Sequence, residues 1–80
     1  MMTQIGIVAG EIITVLESKG GVITLDELVI RLDEPKDLIK MSLGWLIREG
    51  LVFIDERTKK FSLNRTYKMD PDYVNYAVNI

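Results

Sequence analysis

The sequence contains no cysteine and no histidine. The first absence excludes disulfide bonds and cysteine-based metal sites, and the second removes the commonest metal ligand and general base. The chain also lacks a glycine-rich phosphate loop, a nucleophile motif and any metal-ligand spacing. We therefore expect no enzymatic activity, no cofactor and no small-molecule ligand.

Long hydrophobic runs are missing as well. No apolar run approaches the roughly 18 residues that a membrane-spanning helix needs, so we expect no membrane partner. The first ten residues, MMTQIGIVAG, lack the basic region of a secretory signal, which favours a cytoplasmic location. Eighty residues with 48% hydrophobic and 28% charged side chains are typical of one small globular domain.

An excess of positive charge is also absent. The net charge of −2 argues mildly against nucleic-acid binding, because proteins of that class usually carry a basic patch. Only the segment 51–63 is net positive, with three basic and two acidic side chains. The distribution of charge therefore matters more than its total.

The rest of the chain is organised around a helix predicted over residues 33–49. Asp33 or Glu34 is expected to be its N-cap, with Pro35 at the first helical position. Gly50 is expected to end it in the left-handed conformation.

Two apolar faces are predicted on this helix. At 100° per residue, the side that faces the core holds Ile39, Ser42, Leu43 and Leu46. A second apolar set lies well round the helix and consists of Leu38, Met41 and Trp45. The second face is expected to need a cover of its own.

The preceding residues predict two more helices. The first spans residues 4–19 and ends at Gly20 and Gly21, and the second begins at a capping box formed by Thr24 and Glu27. Gly6 and Gly10 each cost about 1 kcal/mol inside a helix. Either another element, with Gly44 opposite, approaches this surface closely, or Gly6 marks a frayed helix start.

After Gly50 the pattern becomes strand-like. Residues 51–55 and 59–63 flank a polar connection of hairpin length, and the extended pair Val22 and Ile23 can pair with them. Helix, short strand, helix, helix and hairpin is the order of an α+β winged helix-turn-helix domain, which we assign to residues 1–63.

Residues 64–80 form a C-terminal tail. Asp70 and Pro71 can start a short helix that carries Tyr73 and Tyr76 on one side. Nine residues are too few for a stable isolated helix, so the tail is expected either to fray or to dock on an exposed apolar surface.

The segments IGIVAGEIITVL at residues 5–16 and SLGWLIREG at residues 42–50, followed by VFIDE, carry a resemblance. The chain resembles a small prokaryotic winged helix-turn-helix family of uncharacterised function. The resemblance covers about residues 4–63 and departs from the family at Ser42, where alanine is usual, and at Ile13, where a large aromatic is usual. It implies the fold and brings no activity with it.

The first functional hypothesis is DNA binding, in which the second helix of the pair enters the major groove and the wing follows the phosphates. The candidate residues are Lys36, Lys40, Arg57, Lys59 and Lys60. Three acidic residues crowd the start of the helix, and no Arg, Asn or Gln lies there to read bases. The alternative for the five cations is an ordinary solvated surface.

The second hypothesis is a protein-interaction module, most simply a homodimer. The candidate interface residues are Leu38, Met41, Trp45, Tyr73 and Tyr76. The alternative for Trp45 is a place in the core at the base of the wing, because aromatic residues at helical spacing more often fill cores. The two hypotheses are compatible, since helix-turn-helix proteins often bind DNA as dimers.

Overall fold

The computed structural model describes residues 3–65. Its elements in chain order are α1 (Gln4–Ser18), β1 (Val22–Thr24), α2 (Leu25–Arg31), α3 (Lys36–Arg48), β2 (Val52–Asp55) and β3 (Lys60–Leu63). The predicted tail helix, with Asp70, Pro71, Tyr73 and Tyr76, lies outside the described residues, so the division at residue 63 stays a prediction. Within residues 3–65, no helix combines the length and apolar character needed to cross a membrane.

The three strands form one antiparallel sheet in the order β1-β3-β2. Phe61 of β3 lies opposite Ile23 of β1 on one side and Ile54 of β2 on the other. The three-residue β1 is stable because β3 receives it, as predicted from the isolated pair of apolar residues. Three helices and this small sheet are the predicted α+β winged helix fold.

The helix-turn-helix pair begins at Thr24. The backbone N–H of Glu27 donates to Thr24 Oγ1 at 3.2 Å, which confirms Thr24 as the N-cap of α2, the first half of the predicted capping box. The Glu27 carboxylate lies 3.2 Å from Lys19 Nζ and 3.9 Å from Arg31 Nε, so it also ties α2 to the end of α1.

The start of α3 differs from the prediction. Pro35 is the N-cap residue rather than the first helical residue, and no side chain caps this end of the helix. Pro35 has an extended ψ of 139°, so the helix begins only at Lys36. The predicted capping by Asp33 or Glu34 is therefore wrong, and both residues belong to the turn between α2 and α3.

The end of α3 is as predicted. Gly50 has a φ of 77°, in the left-handed region that glycine adopts without a steric penalty. Its N–H donates to the carbonyl of Ile47 at 3.0 Å, and the N–H of Leu51 donates to that of Leu46 at 3.0 Å. These two bonds are a Schellman motif, which turns the chain directly into β2.

The core lies between α1, α3 and the inner face of the sheet. Its buried apolar residues are Val8, Ala9, Ile12, Leu16, Ile23, Leu28, Leu32, Leu38, Ile39, Leu43, Leu46, Leu51, Val52 and Phe61. The predicted core side of α3 is confirmed, because all four of its members are buried. The Ser42 hydroxyl donates to the Leu38 carbonyl at 2.8 Å and lies 3.4 Å from the Ile5 carbonyl of α1. The hydroxyl group of this buried serine is thus hydrogen-bonded.

The predicted close approach at Gly10 and Gly44 is wrong. Both residues are exposed, and a Cβ atom added at either position would meet nothing within 4 Å. The reason is rotational, because these two glycines lie on the outer sides of α1 and α3 while the two helices pack through their apolar sides. Gly44 therefore leaves a gap in the exposed surface of α3.

Candidate nucleic-acid interface

The exposed side of α3 carries a row of residues four positions apart. We call this row the α3 ridge, and it consists of Lys36, Lys40, Gly44 and Arg48, all of them exposed. Successive members of such a row lie about 6 Å apart along the helix axis. Lys36 and Lys40 were predicted as binding residues. Arg48 was missed, because its place in the last turn was already explained by the helix dipole.

The predicted wing cations lie on an ordered turn. Arg57, Lys59 and Lys60 are all exposed. The Asp55 carboxylate accepts hydrogen bonds from the backbone N–H groups of Arg57 at 3.0 Å and Thr58 at 3.3 Å, and the Asp55 carbonyl accepts from that of Lys59 at 2.7 Å. The wing turn therefore spans residues 56–59, one more than the predicted connection.

The Asp55 carboxylate is the electrostatic centre of the wing turn. The backbone N–H groups of Thr58 and Arg57, together with the charge of Lys60, lower the pKa of Asp55 below its usual 3.8. A lowered pKa in the folded state means that the carboxylate stabilises the turn above pH 3.8, and that this contribution is lost as the pH falls through the lowered value. Asp55 is thus ionised at neutral pH and contributes to the stability of the wing turn.

Lys59 holds a left-handed backbone conformation, with a φ of 60°. This conformation costs a side chain with a Cβ atom roughly 1–2 kcal/mol, and glycine or asparagine adopts it more readily. The chain thus carries a lysine where a smaller residue suits the backbone better. Residues in such sparsely populated conformations cluster at functional sites.

Negative charge is concentrated near the N-terminal end of α3. We call Glu11, Asp33, Glu34 and Asp37 the acidic corner. Burial raises the pKa of Glu11 above its usual 4.5, and the hydrogen bond and like charge of the Glu34 carboxyl raise it further. Glu11 of α1 therefore meets the turn before α3 in a pair of carboxyl groups, which the sequence alone did not predict.

The carboxyl pair predicts a pH-dependent stability. Because the pKa of Glu11 is raised in the folded state, its protonation stabilises the fold fully below pH 4.5, and this stabilisation is lost as the pH rises through the raised value. Glu34→Gln is therefore expected to raise the melting temperature at neutral pH, with a difference that shrinks towards pH 4.5. Circular dichroism melts across this range test it, with Glu17→Gln on the exposed side of α1 as the control. Equal gains in both variants would contradict it.

The three predicted interface residues of α3 differ in their exposure. Leu38 lies in the core with 8% of its surface exposed, so it does not contribute to an exposed face. Trp45 is partly buried against the core, in line with its alternative interpretation, and only Met41, at 54% exposure, projects outward. Tyr73 and Tyr76 lie outside the described residues.

A different apolar surface appears on the outer face of the sheet. Val22, Ser62 and Phe53 are cross-strand neighbours in one row, so their side chains share a face. Val22 is 46% and Phe53 53% exposed. The strand pattern of residues 51–55 was recognised in the sequence, but an all-apolar run does not show which of its side chains points outward.

A family model described as a winged helix-turn-helix domain, DUF2582, matches residues 1–65. The chain belongs to the DUF2582 family. This match covers every helix and strand of the structure, from α1 to β3. Neither the search of curated proteins nor the search of solved structures found a match.

Membership of the DUF2582 family gives the exposed elements their place in a known architecture. In a winged helix-turn-helix domain, α2 and α3 are the helix pair and the β2–β3 hairpin is the wing. Domains of this type are typically non-enzymatic. Among the described residues, no group of three acidic, histidine or cysteine side chains could hold a metal ion.

Proposed function

We propose that this DUF2582 domain is a cytoplasmic, non-enzymatic module of the regulator type that binds nucleic acid through α3 and the wing. The observation that carries the proposal is the wing turn, where Asp55 orders the backbone that presents three exposed cations. Lys36 and Lys40 add two more cations from α3, which corresponds to the helix that enters the major groove in DNA-binding helix-turn-helix proteins.

The net charge of −2 does not by itself oppose this function, because the acidic side chains are unevenly distributed. Four of the acidic residues form the acidic corner. The Asp55 carboxylate accepts hydrogen bonds from the backbone of the wing turn. The cations of the α3 ridge and the wing lie outside both of the ion pairs found among residues 3–65, which involve Lys19, Arg31 and Glu27. Cations at exposed positions are available to replace the counterions of phosphate groups.

The test is binding to random-sequence duplex DNA, measured by fluorescence anisotropy between about 50 and about 200 mM salt. We expect affinity to fall steeply with salt, and the double variant Lys59→Ala/Lys60→Ala to reduce the slope of log K against log salt by about 2. The matched control is Lys19→Ala/Arg31→Ala, which removes the same charge from residues already paired with Glu27.

Two results would contradict the proposal. The first is no binding at the lowest salt concentration. The second is an equal loss of slope in the wing variant and the control, because the wing would then act only through net charge.

The second candidate function is homodimerisation. The exposed side chains of Val22 and Phe53 on the outer face of the sheet favour it, together with Met41 on α3. The discriminating measurement is the solution mass of the free protein in the binding buffer. A mass of twice 9.1 kDa would support the dimer. Both functions hold if the dimer also binds DNA with a steep salt dependence.

A further inference from the structure

Charge is distributed unevenly along α3, with acidic residues near its N-terminal end and cations towards its C-terminal end. Lys40, Gly44 and Arg48 cover about 12 Å of the helix towards its C-terminal end, while Asp37 lies in the first turn beside the rest of the acidic corner. Positive charge thus extends along the ridge to the end of α3, where the Schellman turn leads into β2, the first strand of the wing. The wing cations lie at the other end of β2, between residues 57 and 60.

The acidic corner opposes the usual docking of a recognition helix. In that docking the N-terminal residues of the second helix enter the major groove and contact base edges. Here that end is flanked by Asp33, Glu34 and Asp37, and Glu11 of α1 brings a further carboxyl group within side-chain hydrogen-bond contact of Glu34. Phosphates on either side of a groove would meet this negative charge.

The exposed side of α3 also offers little for base reading. Asn and Gln, which pair with adenine in two hydrogen bonds, are absent from the helix. Its one arginine, Arg48, lies in the last turn rather than the first. Lysine contacts phosphate as a point charge, and among the bases it favours only guanine.

Gly44 provides the close approach that phosphate contact needs. It lies between Lys40 and Arg48 on the ridge, it is exposed, and the space around it is open. A strand of sugar and phosphate can therefore pass against the bare helix backbone at Gly44, with a cation on either side.

We infer that duplex nucleic acid lies across the C-terminal half of α3 and the wing, and that this domain holds it by its phosphates without reading its sequence. The contacts are made by Lys40 and Arg48 on the α3 ridge and by the three wing cations. Gly44 is the contact point for the sugar-phosphate strand. This inference rests on the proposed function and specifies its ligand.

The experiment extends the salt titrations to single variants of the full chain. Arg48→Ala is expected to lower the salt slope by about 1 on every duplex sequence. The matched control is Arg31→Ala, because Arg31 is likewise an exposed arginine in the last turn of its helix. Gly44→Leu keeps the charge and adds bulk in open space, so it is expected to stay folded in a circular dichroism melt while binding every duplex more weakly.

Selection from a random duplex pool tests the absence of base reading. We expect the spread of affinities to stay far below the roughly thousandfold that separates specific from non-specific sites. A specific site selected at that ratio, with a preference altered by Lys36→Ala, would overturn the inference while leaving the proposed function intact. So would unchanged binding by both Arg48→Ala and Gly44→Leu. No binding to any duplex would instead remove the proposed function itself. A parallel titration with duplex RNA decides which duplex is the ligand, because both present phosphates.

Discussion

Ile39→Ala is expected to remove a large part of the free energy of unfolding. Ile39 lies on α3 with 0% of its surface exposed, in the core that joins α3 to α1. Replacing a buried isoleucine by alanine costs about 2–5 kcal/mol, through the lost transfer free energy and the cavity that remains. A domain of this size has only about 3–5 kcal/mol to lose. Urea denaturation followed by circular dichroism measures the change in the free energy of unfolding.

Ile30→Ala is the matched control for this substitution. Ile30 is also a helical isoleucine, but 83% of its surface is exposed on α2. Its replacement is expected to change the free energy of unfolding by less than about 0.5 kcal/mol, as is usual for surface positions. A loss of less than about 1 kcal/mol in the free energy of unfolding of Ile39→Ala would lie well below the range for cavity-forming substitutions. That result would show that α3 does not depend on this contact.

Gly50→Ala and Gly44→Ala are expected to change stability in opposite directions. Gly50 has a φ of 77° in the Schellman motif, where a Cβ atom costs roughly 1–2 kcal/mol. Gly44 is helical, exposed and surrounded by open space, so alanine there is expected to stabilise α3 by about 1 kcal/mol. In a domain of this length, each kcal/mol moves the melting temperature by about 4–8 °C.

Each glycine variant serves as the control for the other, since both add one methyl group near the same helix. Neither added Cβ atom meets another atom within 4 Å, so steric packing does not separate them. The difference in melting temperature therefore reports backbone conformation. Loss of stability at Gly44 would indicate a close neighbour after all, and no loss at Gly50 would indicate that the helix ends elsewhere.

The candidate site was predictable from the sequence only as a set of charges. Lysine and arginine side chains are solvated by default, so the exposure of Lys36, Lys40 and the wing cations followed from residue type. The helical spacing of Lys40, Gly44 and Arg48 is visible in the sequence, but neither Arg48 nor Gly44 was predicted as a binding residue. The carboxyl pair of Glu11 and Glu34 joins residues of different elements, and no local pattern predicts such a contact.

Signals that act within a few residues allowed the sequence by itself to determine the order of the elements and most of their ends. The Thr24 cap depends on a hydrogen bond across three residues, and the stop at Gly50 depends on the φ that glycine tolerates. The core side of α3 followed from its helical period in the same way. These features can be predicted without knowing which elements pack against each other.

The tertiary structure alone decided how much of the second apolar face of α3 would be covered. The helical spacing of Leu38, Met41 and Trp45 does not show which of them is covered. The position of α3 against the rest of the core buries Leu38, partly buries Trp45 and leaves Met41 exposed. It also turned Gly44 outward and brought Glu11 to Glu34. Burial and charge pairing depend on residues distant in the sequence, and the positions of those residues are set by the packing of the whole domain.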